Sequence, residues 1–352
     1  MTRRRNLGAR VRRWTLWTVV AVLLTAVGLA GAVVLGNSYD LREERITLRA
    51  GGRDLDAVLA TPEHGEGPFG LVVFVHGDGP VDATHDGFYR PLWETFARAG
   101  YASLSWSKPG VGGSAGDWLD QSMDDRAAET ADAVAWARTR PGIDAGRIGL
   151  WGASQAGWVL PKAAARTPGV RFVIAVSPAV NWLRQGRWNT LAELRDRGAP
   201  PEEAAAALAR REAGLRVLRA RGTYAQYRAA VPDDGAMTAA RWRFVSRNWT
   251  SDATGDLRAL AARRVPVLLV LAGHDLNVDV RETEAVYRRE LPPATLRVAH
   301  YPEAAHGLTH PWVDRDELRT LATALLAPRS LFAPGFLPDQ RTYVAEFASR
   351  RT

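Results

Sequence analysis

The sequence predicts an α/β fold, in which helices cover both faces of a mostly parallel central sheet and a helical cap is inserted into the chain. Three observations lead to this prediction. From residue 44 onward, short apolar segments alternate with amphipathic segments, as in parallel sheets covered on both faces. Residues 182–262 interrupt this alternation with a stretch rich in Ala, Arg, Glu and Leu that has no strand pattern. The alternation then resumes and continues towards the C-terminus.

The first 35 residues predict a basic tail followed by a membrane anchor. Residues 1–13 contain six arginines and no acidic residue, and residues 14–35 carry no charge. As an α-helix, the uncharged segment would span about 33 Å, enough for a hydrocarbon core about 30 Å thick. The positive-inside rule places the tail in the cytoplasm and the rest of the chain outside. A signal peptide cleaved at Ala30-Gly31-Ala32 is the alternative, and it would give a secreted protein.

The composition gives no sign of a nucleic-acid partner. The 352 residues carry a net charge of +8, and six of these charges belong to the tail arginines: Arg3, Arg4, Arg5, Arg10, Arg12 and Arg13. Basic and acidic residues alternate in the remainder, whereas a nucleic-acid-binding face concentrates basic residues. The absence of cysteine excludes disulfides, thiolate metal sites and cysteine nucleophiles.

Residues 44–181 are predicted to form the first part of the core. Two strands at 46–49 and 55–60 flank Gly51-Gly52, which predicts a hairpin. Further strands are predicted at 71–75, 101–106, 147–151 and 171–176, and helices at 89–99, 123–138 and 155–165. After the cap at 182–262, residues 263–352 complete the core. This second part has predicted strands at 265–272 and 295–300 and helices at 281–290, 315–326 and 341–350.

Two serines lie in glycine-rich motifs that could mark a nucleophile. Ser114 lies in Gly112-Gly-Ser-Ala-Gly116, a literal match to G-x-S-x-G, and residues 110–115 also match the dinucleotide pattern G-x-G-x-x-A. A seven-residue loop separates Ser114 from the preceding predicted strand, and no helix follows it. We therefore predict a glycine-rich loop here, neither a nucleophile nor a phosphate-binding turn.

Ser154 is the predicted nucleophile, although its motif is imperfect. It lies in Gly152-Ala-Ser-Gln-Ala-Gly157, where Ala156 replaces the usual glycine. A predicted strand runs straight into Gly152 and a predicted helix follows Ser154. This strand–turn–helix context is what a nucleophile elbow requires.

A serine nucleophile needs a base, an acid that orients the base, and N–H groups that bind the oxyanion. Asp275, which follows a predicted strand, is the predicted acid, and His306, which follows the next strand, is the predicted base. The three residues then occur in the order Ser, Asp, His, which is typical of such sheets. Asp279 and His310 are the reserve candidates. For the oxyanion we expect the N–H groups of Asp78 and Gln155, with Gly79 as the alternative to Asp78. Asp78 lies in His76-Gly77-Asp78-Gly79-Pro80, directly after a buried strand.

With these motifs, the sequence resembles the α/β-hydrolase superfamily over about residues 45–350, and its serine esterase and thioesterase-like branch in particular. The motifs that carry the resemblance are His76-Gly-Asp-Gly-Pro, Gly152-Ala-Ser-Gln-Ala-Gly, Gly273-His-Asp275 and Ala305-His306-Gly. Residues 107–114 also look like the family's loop D-x-x-G-x-G-x-S, with Ser107 in place of the aspartate. The resemblance implies a serine hydrolase that needs no metal and no organic cofactor.

The expected reaction is cleavage of a small-molecule carboxylic ester or thioester through an acyl-enzyme. A serine peptidase of the dipeptidyl- or acyl-peptidase type is an alternative, as are an acyltransferase and a non-catalytic binding module anchored in the membrane. The tryptophans Trp158, Trp182 and Trp188 are candidates either for the wall of an acyl pocket or for ordinary core.

Overall fold

The computed structural model describes residues 3–232 and 234–348, with side chains from residue 14 onward. The start of the predicted basic tail, the side chains of its arginines and the end of the helix predicted at 341–350 lie outside the described part. Residues 3–39 and 312–331 form a small unit, and the other described residues form the main unit.

One sheet of eight strands, counted within the described residues, forms the centre of the main unit. The strands are β1 (Leu41–Ala50), β2 (Arg53–Pro62), β3 (Phe69–Val75), β4 (Tyr101–Trp106), β5 (Ile143–Ala153), β6 (Val170–Val176), β7 (Val267–His274) and β8 (Leu296–Ala305). Their order is β1-β2-β4-β3-β5-β6-β7-β8. The first two strands pair antiparallel with each other, β2 pairs antiparallel with β4, and all later pairs are parallel.

The predicted hairpin between β1 and β2 is present. Gly51 and Gly52 have φ angles of 57° and 73°, and two consecutive left-handed residues form the turn that matches the twist of paired strands. Each strand is longer than predicted because the flanking residues, most of them polar, continue the pairing from Leu41 opposite Pro62 to Ala50 opposite Arg53.

Helices cover both faces of the sheet, as the alternation in the sequence predicts. On β3, Phe74 contacts Trp93 and Phe96 of α2 (Arg90–Ala97) on one face, and α12 (Phe336–Ala345) packs beside α2. Val73 belongs to the apolar core on the other face. The helices on that face are α3 (Met123–Ala137), α4 (Leu160–Arg166) and α10 (Val280–Glu290).

Two predicted helices begin at other positions. The helix predicted at 155–165 is a 3-10 turn, Ser154–Trp158, followed by α4 from Leu160. Pro161 explains the break, because proline lacks an N–H and fits only the first turn of an α-helix. The helix predicted at 341–350 begins earlier as α12, directly after Gly335, whose φ is 85°.

Five helices occupy the segment between β6 and β7. They are α5 (Trp182–Asp196), α6 (Pro201–Arg219), α7 (Tyr224–Ala230), α8 (Ala239–Asn248) and α9 (Thr254–Ala262), counted within the described residues. The last of them, α9, packs against α4 and α10 of the core layer. We refer to α5–α8 as the inserted helices.

The small unit contains α1 (Arg3–Gly36) and α11 (Glu317–Leu326). Within the described residues, α1 has the one stretch long and apolar enough to cross a membrane: Trp14–Gly36, with a mean hydropathy of 2.5 and no buried residues. A membrane anchor and a signal sequence both have this character.

Candidate active site

Ser154 lies at the tight turn between β5 and the 3-10 turn that follows it. Its φ is 57°, a left-handed conformation that is strained for a residue with a side chain and that occurs mainly at functional turns. A Cβ at Gly152 would lie 2.7 Å from the carbonyl oxygen of Val75, and one at Gly157 would lie 2.7 Å from the nitrogen of Ala179. Ala156 is fully buried between them. The turn therefore requires glycine at 152 and 157 and accommodates the methyl group at 156.

Asp275 and His306 form a hydrogen-bonded pair. The Nδ1 atom of His306 lies 2.9 Å and 2.8 Å from the two carboxylate oxygens of Asp275. The same carboxylate accepts hydrogen bonds from the N–H groups of Asn277 and Val278, both at 2.8 Å. Because an ionised carboxylate only accepts, Nδ1 of His306 carries the proton and donates, which leaves Nε2 able to accept a proton.

The reserve candidates have other surroundings. Asp279 caps α10 and accepts hydrogen bonds from the N–H groups of Arg281 and Glu282. Among the described residues, His310 does not line the cavity that contains His306.

A cavity of about 520 Å³ brings the predicted site residues together. Ser154, His306, Gly77, Asp78 and Gln155 all line it. The remaining wall is largely apolar and includes Phe88, Leu92, Trp151, Val176, Phe332 and Phe336. Of the three tryptophans considered from the sequence, Trp158 and Trp182 line the cavity and stack on each other with ring centroids 4.9 Å apart.

The loop of residues 76–80 lies beside the serine. A Cβ on Gly77 would be 3.5 Å from Cβ of Ser154. The carbonyl oxygen of His76 accepts a hydrogen bond from Arg126 at 2.6 Å. The carbonyl oxygens of Gly77 and Gly79 accept from Nζ of Lys108 at 2.6 Å and 2.8 Å. In a trans peptide the C=O and the following N–H point in opposite directions, so the N–H of Asp78 points away from Lys108.

Sequence reasoning missed the two basic residues that hold this loop. Lys108 and Arg126 are almost completely buried. Burial, reinforced by the charge of Arg126, lowers the pKa of Lys108 well below its usual range. One signal was available: the chain has only two lysines among 46 basic residues, Lys108 and Lys162. In a chain so biased towards arginine, a lysine in a glycine-rich loop marks a special environment.

The side chain of Asp78 connects the loop to the inserted helices. Its carboxylate accepts from both terminal nitrogens of Arg241 on α8, at 2.9 Å and 2.5 Å, and from Nε2 of Gln155 at 2.9 Å. Arg126 in turn donates to Oε1 of Gln155 at 2.6 Å. Burial opposes ionisation of Asp78, but the hydrogen bond and charge of Arg241 hold its pKa below the usual range.

The loop of residues 107–116 has a structural arrangement of its own. The hydroxyl of Ser114 donates to the carbonyl oxygen of Ser107 at 2.8 Å and accepts from the N–H of Asp56 at 2.9 Å. The hydroxyl of Ser107, which stands where the related loop has aspartate, accepts from the N–H of Ala83 at 3.0 Å.

Within the described residues, no group of three or more His, Asp or Glu side chains is arranged to hold a metal ion.

The sheet order and the helices on both faces are those of an α/β-hydrolase. The chain belongs to the family described as X-Pro dipeptidyl-peptidase (S15 family), which matches residues 51–313, and it is therefore a hydrolase. The matched region contains Ser154, Asp275, His306 and the inserted helices.

Solved structures agree on the fold. An esterase of Pyrococcus furiosus is 16% identical with a TM-score of 0.52, over 89% of this chain and 92% of the esterase. A mutant of the esterase rPPE, complexed with (S)-Ac-CPA, is 16% identical with a TM-score of 0.53, over 92% of this chain and 88% of that one. A 2,6-dihydroxy-pseudo-oxynicotine hydrolase is 15% identical with a TM-score of 0.50, over 84% of this chain and 72% of that one. The search of curated proteins found no match.

The close contact at Gly157 can be tested by adding one methyl group. We expect Gly157→Ala to lower the free energy of unfolding by about 1–3 kcal/mol, because the new Cβ meets backbone that cannot move aside. Gly255→Ala is the matched control: no atom lies within 4 Å of its new Cβ, and a helical alanine is neutral or stabilising. Thermal unfolding followed by circular dichroism measures both variants. Equal melting temperatures would contradict the assignment of the close contact.

Proposed function

We propose that the protein is a serine hydrolase that cleaves a carboxylic ester or thioester through an acyl-enzyme. Ser154 is the nucleophile, His306 the base and Asp275 the acid that orients it. One observation carries the proposal: the strained Ser154 and His306 line the same cavity, and Asp275 holds His306 by hydrogen bonds from behind. The proposal also draws on the family, whose members are described as peptidases, and on the match of the fold to esterases.

The chemistry follows from the positions of the protons. Nε2 of His306 takes the proton from the hydroxyl of Ser154 as the oxygen attacks the carbonyl carbon, and it then gives this proton to the departing alcohol or thiol. Asp275 stays ionised and stabilises the imidazolium that forms. Water attacks the acyl-serine in the second half of the reaction and loses a proton to Nε2 of His306. The bond between the carbonyl carbon and the Ser154 oxygen then breaks, His306 returns the proton to that oxygen, and the acid is released.

We further propose that the N–H groups of Asp78 and Gln155 bind the oxyanion. Lys108 supports this assignment because it holds the Gly77 carbonyl on the opposite side of the peptide from the Asp78 N–H. Gln155 is fixed by its side chain, which donates a hydrogen bond to Asp78 and accepts one from Arg126. Donors that are already oriented need no rearrangement as charge develops, and each is worth a few kcal/mol of transition-state stabilisation.

The lining of the cavity favours a neutral substrate. Asp78 supplies the one carboxylate among its described lining residues, and that carboxylate is bound to Arg241 and Gln155. An ammonium group removed from water needs an opposite charge nearby, and the described lining residues offer the amino terminus of a peptide no unpaired carboxylate. An uncharged acyl ester suits the aromatic wall better. A peptidase of the dipeptidyl type is the second candidate, favoured by the description of the family.

We also propose that α1 anchors the protein in the membrane, with the main unit outside the cytoplasm. The six arginines before the apolar stretch support this orientation. Secretion after signal cleavage is the alternative.

The assignment of the nucleophile can be tested with a fluorophosphonate probe. We expect the probe to label Ser154 and Ser154→Ala to lose both the label and p-nitrophenyl ester turnover, by about 10³-fold or more. Ser114→Ala is the control. It should keep the label and most of the turnover while losing about 1 kcal/mol of stability with its two hydrogen bonds. Unchanged ester turnover in Ser154→Ala would rule out the proposal.

The role of Lys108 as a positioning residue can be tested against the second lysine. We expect Lys108→Met to lower kcat for a p-nitrophenyl ester by about tenfold or more with little change in KM, because the loop carbonyls lose their donor and the Asp78 N–H loses its orientation. In Lys162→Met, the lost ion pairs with Asp124 and Asp256 lie outside the cavity lining, so kcat should be retained. A rise in KM with no fall in kcat, or an equal fall in kcat in both variants, would speak against this role.

The preference for a neutral substrate can be tested with matched p-nitroanilides and esters. We expect N-acetylation of an X-Pro substrate to leave kcat/KM unchanged or to raise it, because the free amine finds no unpaired carboxylate among the described residues that line the cavity. Uncharged p-nitrophenyl esters should be turned over faster than either. A fall in kcat/KM on acetylation of about 100-fold, close to 3 kcal/mol, would instead identify a dipeptidyl peptidase.

A further inference from the structure

The helix α11 presents an apolar face to its surroundings. Leu318, Leu321 and Leu325 are 81%, 59% and 47% exposed. Their spacing of three and four residues places them on one side of the helix, and Ala322 between them is exposed as well. No residue of α11 is buried. This is the reverse of the usual arrangement, in which the apolar stripe of a helix faces the core.

The last turn of α11 is fixed to the C-terminal end of α1. Nδ2 of Asn37 donates to the carbonyl oxygen of Leu325 at 2.7 Å. Gly36 lies so close to the Leu326 carbonyl that a Cβ on it would collide with that group. Arg329 donates to the carbonyl oxygens of Gly36 and Ser38, both at 2.8 Å, where the last carbonyls of a helix favour a cation. The end of α1 and the whole of α11 therefore form one assembled piece.

This attachment determines the depth of the exposed leucines relative to a bilayer spanned by α1. The apolar stretch Trp14–Gly36 ends at the residue against which α11 packs. If α1 spans a bilayer, Gly36 is at the boundary between acyl chains and headgroups, and α11 is held at that boundary. Trp312, which precedes α11, stacks under Arg319 at 4.1 Å. Tryptophan and arginine are both common at this depth of a membrane.

We propose that α11 is a membrane-interface helix, and that Leu318, Leu321 and Leu325 insert among the lipid acyl chains on the extracytoplasmic side. The partner is a phospholipid surface. The inference rests on the proposed anchoring by α1 and is independent of the proposed catalysis. It also bears on the signal-peptide alternative. Cleavage after Ala32 would leave Gly36 and Asn37 in place but remove the span, and the leucine face would then be exposed to water, where such patches cause association.

Single cysteines offer a direct test, because the chain contains none. The full chain is reconstituted in phosphatidylcholine vesicles with an environment-sensitive NBD label at Leu321→Cys, at Leu325→Cys or, as the aqueous reference, at Glu202→Cys, an exposed residue of α6. We expect a blue-shifted emission at 321 and 325, and quenching of about twofold when the lipids carry bromine on their acyl chains. Position 202 should show neither effect. All three variants should retain ester turnover, which separates this test from that of Ser154.

Three outcomes would overturn the proposal. The label at 321 could be quenched by aqueous iodide as strongly as the label at 202, although the protein floats with the vesicles. The emission of this label could be blue-shifted only at high protein concentration and without quenching by the brominated lipids. That result would identify a second copy of the chain as the partner of the leucine face. The protein could fail to float with the vesicles, in which case the anchoring by α1 is wrong as well.

Discussion

The parallel pairing of the central strands is the constraint on which the rest of the molecule depends. β3, β5, β6, β7 and β8 run in the same direction, so their carboxyl ends meet at one edge of the sheet. Ser154 directly follows β5, Asp275 follows β7 and His306 follows β8. More than 150 residues separate the serine from the histidine, and the strand pairing alone brings them to one cavity. The apolar strand interiors fix the sheet, which leaves the strand ends available for polar chemistry.

A buried polar network holds the loop at residues 76–80 in place at that edge, and burying its basic groups is unfavourable. Lys108 and Arg126 lose their hydration, which is expensive unless the lost water is replaced by acceptors. The carbonyl oxygens of the loop at 76–80 and the side chain of Gln155 are those acceptors. The pair between Asp78 and Arg241 is of another kind: both side chains are partly exposed, so it contributes at most about 1 kcal/mol. It links the inserted helices to the loop without locking them there.

The elements could be predicted from the sequence where the controlling interactions are local. β4 has the predicted bounds because its apolar run is compact, and α3 begins at Met123 because Ser122 and Asp125 cap it. The 3-10 turn after Ser154 differs because Pro161 competes with helical periodicity. The roles of Lys108, Arg126 and Arg241 could not be predicted, because each depends on a partner that only the folded chain brings near. The outward leucine face of α11 was equally hidden, since periodicity shows an apolar stripe but not what it faces.

The contact between Gly157 and the backbone after β6 has a consequence for how such enzymes are found among genome sequences. The tight packing at this turn requires glycine at 152 and 157, and it leaves room for a methyl group at 156. A scan for strict G-x-S-x-G would retrieve this chain through Ser114, whose hydroxyl is already bound to backbone. A pattern that admits alanine and requires the following glycine would retrieve it through Ser154. Relatives with the same substitution and no accidental second motif would escape the strict scan altogether.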